Sequence, residues 1–241
     1  MRLDKLLANM GFGTRKTVKN VLKAKEVTVN GLVEKDGKTH VNPETDKIEV
    51  SGEVIQYQEF MYFMLHKPQG VVSATTDHVH KTVIDLLDPQ DQVRDPFPVG
   101  RLDKDTEGLL ILTNDGTLAH NLLSPKKHVD KCYEAIIEGV VNEQDIRAFE
   151  RGITLDDGFN CQSAKLELLS VDFEKERSVI QVTIHEGKFH QVKKMFLSVG
   201  KKVIYLKRLS IGPLQLDNTL PLGSYRALHS EELAALKPYF K

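Results

Sequence analysis

Apolar residues near the start of the chain recur at the spacing of one helix face and then alternate with polar ones. The helical spacing is set by four residues, Leu3, Leu6, Leu7 and Met10. Gly11 and Gly13 interrupt this pattern, and Thr14 can cap a second helix. The alternation in "VTVNGLV" is broken by an Asn-Gly pair, which is typical of a β-hairpin. With the strand-like pieces "THV" and "KIEV", the pattern predicts a small helix-helix-hairpin domain over residues 1–58, which ends in the polar stretch "QYQEF".

Strand-like runs outnumber helical ones in the rest of the chain. The strand-like runs are "MYFML", "GVVSA", "GLLILT", "YEAIIEGVV", "AKLELL", "SVIQVTI" and "KVIYL". The helical pieces are "TVIDLL", "TLAHNLLS", "EQDIRAFERG" and "FHQVKKMFLSVG". Many neighbouring strand-like runs have the spacing of hairpins. This pattern favours an α+β fold with a mixed, largely antiparallel central sheet, and it predicts a second domain over residues 59–241.

One acidic loop precedes a strand that should be buried on both faces. In "GRLDKDTEGLLILTNDG", Asp103, Asp105 and Glu107 stand directly before the apolar run 109–112. A calcium loop is excluded because Glu107 does not fit the D-x-[DN]-x-[DN]-G spacing. A hydrolase with a pair of catalytic carboxylates stays open on these residues alone.

The net charge of -1, from 33 Lys and Arg against 34 Asp and Glu, does not indicate a polyanionic partner. Two windows differ from this average: residues 1–25 and 185–208 each hold seven basic residues against one acid. In the second predicted helix, one face is basic and the opposite face is apolar. The basic residues are Arg15, Lys16, Lys19 and Lys23. Such a face suits a phosphate backbone, although a merely solvated face has the same composition.

The remaining composition bears on location and metals. The two cysteines, Cys132 and Cys161, lie in no metal-binding or disulfide motif, which suits a reduced, cytoplasmic protein. No apolar stretch reaches the roughly 20 residues of a membrane span. His78 and His80 are typical of a surface loop. We therefore expect no metal site and no membrane partner.

The segment "HEGKFHQVKKMFLSVG" carries the second set of candidate residues. Its apolar stripe is Phe189, Val192, Met195, Phe196 and Val199. Lys193 falls about 40° from Phe189 on the helical wheel, at the border of this stripe, whereas Lys194 points away. A half-buried lysine needs a carboxylate partner, for which Asp103 is the candidate. Tyr133, early in the run "KCYEAIIEGV", can be an ordinary packed aromatic on this reasoning.

Two resemblances to known families cover nearly the whole chain. "RLDKLLANMGFGTRKTVKNVLKAKEVTVNG" resembles the ribosomal-protein-S-four-like RNA-binding domain. "GRLDKDTEGLLILTNDG", "KCYEA", "EGKFHQVKKMF" and "YLKRLSIGPLQL" resemble, in this order, bacterial ribosomal RNA pseudouridine synthases of the small-subunit-modifying type. The resemblance implies a cleft across an antiparallel sheet and isomerisation of a uridine in RNA without metal, cofactor or energy source. Its usual target is uridine 516 of 16S ribosomal RNA, and a monomer is expected.

The resemblance also implies roles for single residues. Asp103 matches the catalytic aspartate, either as nucleophile or as proton acceptor. Tyr133 matches the aromatic that stacks on uracil, and Lys193 the basic partner of the aspartate. The remaining candidates for contacts with RNA are Arg101, Lys194 and Arg208, together with Arg15, Lys16, Lys19 and Lys23. Asp105 and Glu107 are then expected only to shape the turn.

Three alternatives stay open at this point. The first is a large-subunit ribosomal RNA synthase of the same superfamily. The second is a non-catalytic RNA-binding or assembly factor, which would be expected to lack one of the three catalytic candidates. The third is the carboxylate-pair hydrolase acting on nucleosides, for which an RNA-binding domain would have no use.

Overall fold

The computed structural model, which describes residues 1–240, places the apolar residues of the N-terminal region in a core of their own. The elements are α1 (Leu3–Asn9), α2 (Val18–Lys23), β1 (Val27–Val29), β2 (Leu32–Val33), β3 (Ile48–Val50) and β4 (Glu53–Val54). The strands form an antiparallel sheet in the order β2-β1-β3-β4. The core is made by Leu3, Leu6, Leu7, Val18, Leu22, Val27, Val41, Ile48 and Val50.

The turns of this region agree with the sequence pattern in one place and differ in another. Asn30 and Gly31 have φ angles of 52° and 81°, as a two-residue hairpin turn between β1 and β2 requires. The helix predicted after Thr14 begins only at Val18, although the hydroxyl of Thr14 accepts a hydrogen bond from the Thr17 amide, as a helix cap does, and the carbonyl of Thr14 accepts from the Val18 amide. Arg15 and Lys16 lie in the turn before this helix.

The chain forms two compact units, and each unit is made of two segments that are not contiguous in the sequence. One compact unit comprises Met1–Met61 and Ile84–Phe97, and the other comprises Tyr62–Val83 and the chain from Pro98 onward. The segment Ile84–Phe97 holds a 3-10 helix (Ile84–Leu86) and α3 (Pro89–Gln92), and β6 (Phe97–Pro98) follows at its end. The boundary near residue 58 stays a prediction.

The second unit is built on a mixed sheet in the order β13-β5-β7-β11-β8-β10-β9. Its strands are β5 (Tyr62–Lys67), β7 (Glu107–Thr113), β8 (Lys131–Glu138), β9 (Lys165–Asp172), β10 (Arg177–Ile184), β11 (Lys202–Ile211), β12 (Leu214–Gln215) and β13 (Tyr225–Ala227). Its helices are α4 (Gly116–Leu123), α5 (Glu143–Arg151), α6 (Gln191–Ser198) and α7 (Ser230–Ala235). The pairs along this sheet are antiparallel except β7 with β11, so the predicted α+β class is confirmed.

The parallel pair β7 and β11 lies next to the strand that carries Tyr133. Leu109, Leu110, Ile111 and Leu112 are fully buried, as the apolar run predicts. Gly108 has a φ of 110°, and a Cβ at this position would collide with the backbone of Arg208. The close approach of the two strands therefore requires glycine.

The strand predicted in "GVVSA" is wrong. Val72 makes only an isolated bridge to Thr82, although Val71 and Ser73 are buried. These residues pack in a loop that supports residues 102–104, and burial in a loop leaves the same sequence pattern as burial in a strand. No helix within residues 1–240 has both the length and the apolar character needed to cross a bilayer.

Candidate active site

Asp103 lies in the loop that leads into β7, and a buried lysine fixes the backbone of this loop. The ammonium of Lys67, at the end of β5, donates hydrogen bonds to the carbonyl oxygens of Pro68, Asp103 and Thr106, at 3.0, 3.0 and 2.9 Å. Lys67 is fully buried. Burial lowers its pKa to about 8, against the opposing charge of Asp103 and its acidic neighbours.

The segment after β5 holds the same loop from a second side. The hydroxyl of Ser73 donates to the carbonyl of Leu102 and accepts from the Leu102 amide. The amide of Gly70 donates to the carbonyl of Lys104 at 2.8 Å. Together with Lys67 these bonds pin the backbone on both sides of Asp103, so its carboxylate has a defined direction.

Helix α6 brings Lys193 to this carboxylate. The ammonium of Lys193 donates to Asp103 Oδ2 at 3.0 Å and to Asp105 Oδ1 at 2.6 Å. Burial disfavours the charge of Lys193, but its hydrogen bonds to Asp105 and Asp103 outweigh burial and raise its pKa. Burial likewise opposes ionisation of Asp105, and the bond to Lys193 outweighs it and lowers the pKa of Asp105. Asp105 therefore does more than shape the turn.

A histidine and an exposed aromatic complete the edge of the site. His190 precedes α6 in the left-handed conformation, with φ 55°, and its Nε2 lies 3.5 Å from Asp103 Oδ1. Its ring stacks on Phe189 with the centroids 3.7 Å apart. Phe189 is 73% exposed, so the apolar stripe predicted for the helix does not include it. Helix α6 starts two residues later, and its buried residues begin with Gln191 and Val192.

A cleft of about 980 Å³ joins these groups to the face of the central sheet. Asp103, Lys193 and His190 line one side, and Tyr133 of β8 lines the sheet side. Tyr133 is 8% exposed. The exposed Arg101 also lines the cleft. The size of the cleft and its mixture of aromatic and charged groups suit a flipped nucleotide.

The structure brings together five of the ten predicted site residues. Asp103, Tyr133, Lys193, Arg101 and Arg208 all line the cleft. Lys194 instead forms an ion pair with Asp157 at 2.9 Å. The four basic residues of the N-terminal region belong to the first unit and are exposed: Arg15, Lys16, Lys19 and Lys23. Their roles, like those of the cleft residues, stay predictions.

Sequence reasoning missed Lys67, His190 and the contact of Asp105 with Lys193. Lys67 follows the apolar run 61–65 and His66, and nothing in this local pattern indicates that its side chain is buried. The contacts of Asp105 and His190 depend on a tight turn and a left-handed residue, which leave no periodic pattern. Within residues 1–240 no three His, Cys, Asp or Glu side chains are grouped so that they could hold a metal ion.

Comparison with known proteins assigns this arrangement to a family. The sequence model of the family described as RNA pseudouridylate synthase matches residues 61–198. The chain belongs to the RNA pseudouridylate synthase family. An S4 domain model matches residues 1–47 of this synthase. The match of the catalytic family spans the residues from β5 to α6 and therefore contains Asp103, Tyr133 and Lys193.

Relatives of this synthase match over its full length. It is 52% identical over 236 residues to an uncharacterised RNA pseudouridine synthase, YtzG, of Bacillus subtilis, which covers 98% of each chain. It is 40% identical to ribosomal large subunit pseudouridine synthase B of B. subtilis, covering 98% of this chain and 95% of the relative. It is also 40% identical to ribosomal small subunit pseudouridine synthase A of Vibrio cholerae, covering 98% and 99%.

A crystal structure of a pseudouridylate synthase has the same fold. The identity is 36%, the TM-score is 0.68, and the match covers 98% of this chain and 99% of the other. The synthase is therefore an isomerase with an α+β fold. The family model that matches is that of a pseudouridylate synthase and not that of a hydrolase.

Proposed function

We propose that this synthase converts uridine 516 of 16S ribosomal RNA to pseudouridine. The proposal rests on the cleft in which Asp103 is paired with Lys193 beside Tyr133, and on the full-length similarity to a ribosomal small subunit enzyme. The equal identity to a large subunit enzyme supports a second candidate target, a uridine in the large-subunit RNA. The S4 domain supports RNA as the substrate in both cases.

The proposed chemistry begins with a uridine turned out of its stack into the cleft. The bond between N1 and C1′ breaks, the uracil turns within the pocket, and C5 bonds to C1′. Asp103 acts at the sugar, as nucleophile on C1′ or as acceptor of a proton. Lys193 holds one oxygen of this carboxylate at 3.0 Å, which fixes the direction of the carboxylate. Tyr133 stacks on the uracil.

The contacts outside the cleft position the RNA in this proposal. Arg101, exposed in the lining of the cleft, holds a flanking phosphate or fills the gap that the flipped base leaves. The exposed residues Arg15, Lys16, Lys19 and Lys23 bind phosphates away from the reacting uridine. Monomeric action and a cytoplasmic location stay predictions.

Mapping pseudouridines in ribosomal RNA from cells that lack the gene tests the target. We expect uridine 516 to be unmodified in the deletion strain. The site should return when the wild-type gene is restored and stay unmodified with Asp103→Asn. Loss of a large-subunit site with uridine 516 intact would assign the second target. An unchanged map of both RNAs would contradict the proposal.

A further inference from the structure

Two buried cations flank Tyr133 on the face of the central sheet. Lys131 stands two positions before Tyr133 on β8, so the two side chains share a face. Arg208 of β11 is the register partner of Tyr133. Lys131 is 6% exposed and Arg208 is 2% exposed, and both line the cleft.

Neither cation has a carboxylate partner within residues 1–240. The ammonium of Lys131 donates to the Val129 carbonyl, and the Nε of Arg208 donates to the Leu109 carbonyl. The Nη2 of Arg208 is buried without a hydrogen-bond partner. The carboxylate of Asp130 adjoins Lys131 in sequence but lies 2.6 Å from the ring of His185.

Buried polar groups without an opposite charge or a full set of hydrogen bonds destabilise the folded protein. A buried charge is unfavourable unless an opposite charge or several hydrogen bonds compensate it. Burial, with the nearby charge of Arg208, lowers the pKa of Lys131 to about 8. The hydroxyl of Thr106, which also lines the cleft, is, like Nη2 of Arg208, buried without a hydrogen-bond partner. This part of the cleft is therefore prepared for negative charge that the substrate supplies.

We propose that Lys131 and Arg208 form an oxyanion subsite, which stabilises negative charge on the uracil carbonyl oxygens as the base leaves the ribose. The inference rests on the proposed stacking of uracil on Tyr133, because that position sets the edge of the base above its two cationic neighbours. The hydroxyl of Thr106 is a further donor to the same oxygens.

The isomerisation itself supplies this charge. When the N1–C1′ bond breaks, N1 keeps the bonding pair and the base becomes an anion, with its charge spread onto O2 and O4. The deficient C1′ bonds to an oxygen of Asp103, or a C2′ proton passes to that oxygen. C5 then donates a pair to C1′, which displaces the Asp103 oxygen in the first route, or in the second route is accompanied by return of the proton from Asp103 to C2′. The C5 proton passes to solvent, and N1 takes up a proton. Preformed donors aimed at charge that exists only during reaction accelerate the chemical step.

A backbone phosphate is the competing source of negative charge, and the burial of the two cations argues against it. Arg208 is 2% exposed, whereas Arg101 is an exposed cation in the lining of the same cleft. A phosphate has the same charge before and during the reaction. A phosphate contact would therefore change RNA affinity, and an oxyanion contact changes the rate of the bound complex.

Single-turnover release of tritium from [5-³H]uridine distinguishes a phosphate contact from an oxyanion contact. The substrate is the ribosomal RNA segment identified by mapping in the deletion strain, so a wrong target is detected before variants are compared. With enzyme in excess, Arg208→Met and Lys131→Met should each lower the saturated rate by about 100-fold, the usual effect of losing one such donor. Their Kd for RNA should stay within threefold. Arg177→Met, at an exposed position on β10, is the matched control and should match wild type.

Rescue distinguishes charge from structure. For Arg208→Ala, guanidinium at tens of millimolar should restore the rate at least tenfold, and urea, which has the same shape without charge, should not. A tenfold weaker Kd with an unchanged saturated rate would assign the cations to phosphate and overturn the proposal. Lys131→Met provides a second test if Arg208 variants do not fold. A rate within threefold of wild type in a folded Lys131→Met protein would also overturn it.

Discussion

The carboxylate of Asp103 has different surroundings on its two oxygens. Lys193 bonds to Oδ2, while Oδ1 faces the ring of His190 at 3.5 Å. The side chain is 25% exposed, so a reacting atom can reach it from the cleft. This combination of a fixed cation on one oxygen and access to the other suits a carboxylate that reacts with a sugar.

Asp103→Asn should abolish isomerisation, because the amide cannot act as nucleophile or base but keeps the shape of the side chain. RNA affinity should stay within a few fold of wild type. Tritium release under single-turnover conditions and filter binding measure the two effects. Turnover above background in the variant would remove Asp103 from the proposed role.

Replacing Lys193 tests whether its charge is what Asp103 needs. Lys193→Met leaves two neighbouring carboxylates without their shared cation and should lower the saturated rate by about 100-fold. Lys193→Arg keeps the charge and should retain most of the rate. Asp105→Asn preserves the bond between Lys193 and Asp103 and should reduce the rate much less than Lys193→Met. Equal losses in Lys193→Met and Lys193→Arg would indicate a packing role instead.

Lys67 should make stability depend on pH in a particular direction. Its pKa falls from 10.5 in the unfolded chain to about 8 in the folded protein. Between these values the unfolded chain binds more protons, so the contribution of Lys67 to the free energy of unfolding rises with pH, by at most about 3 kcal/mol. Urea unfolding from pH 7.5 to 10 should show a shallower rise in Lys67→Met than in wild type. Identical pH dependence would contradict the buried charge.

At the scale of elements, the first unit has an exposed basic surface over buried apolar residues. Arg15 and Lys16 lie in the turn before α2, while Lys19 and Lys23 lie within it, and all four are exposed. Val18 and Leu22 are buried behind them. A basic surface on an apolar support can change its charge without changing the fold.

Arg15→Ala with Lys19→Ala should therefore weaken RNA binding and leave the saturated rate close to wild type. If each side chain contacts one phosphate, the slope of log affinity against log salt should fall by roughly 1 to 2. Titrations at several salt concentrations measure the slope. Unchanged affinity and slope would mean that the surface is merely solvated, and a collapse of the saturated rate at normal affinity would place these residues nearer to the chemistry.

The sequence predicted those elements whose pattern lies within a few consecutive residues. The Asn-Gly hairpin, the buried strand β7 and helices α4 and α5 follow from turn chemistry and periodicity within a few residues. The Asp103 to Lys193 pair was also within reach, because a lysine at the border of an apolar stripe needs an anion. Asp105, His190 and Lys67 were not predicted, since their contacts arise from loops whose path depends on the assembled sheet.

At the scale of the whole molecule, each of the two compact units is built from two separate segments of the chain. Ile84–Phe97 belongs with Met1–Met61, and within that unit Arg94 Nη2 donates to the carbonyl of Gln58 at 2.5 Å. Cutting the chain at the predicted boundary near residue 58 separates this segment from the rest of its unit.

A fragment of residues 59–241 should therefore melt at a lower temperature than the full-length chain, by about 5 °C or more. Replacing residues 84–97 in the fragment with a Gly-Ser linker of equal length should recover part of the loss, because the orphaned segment is then absent. Calorimetry of the three proteins measures both effects. A fragment as stable as the full-length chain would show that the segment needs no partner.

The order of the central sheet also determines when the enzyme becomes active during its own synthesis. Strand β11 lies between β7 and β8 in the sheet, although it is made last of the three. Asp103 leaves the ribosome ninety residues before Lys193, and β7 has only β5 and the short β6 beside it until β11 arrives. With the roles proposed for Asp103 and Lys193, a nascent chain is inactive over this interval, and the edge of β7 that pairs with β11 is uncovered. That edge is the segment of the growing chain on which a chaperone would be expected to act.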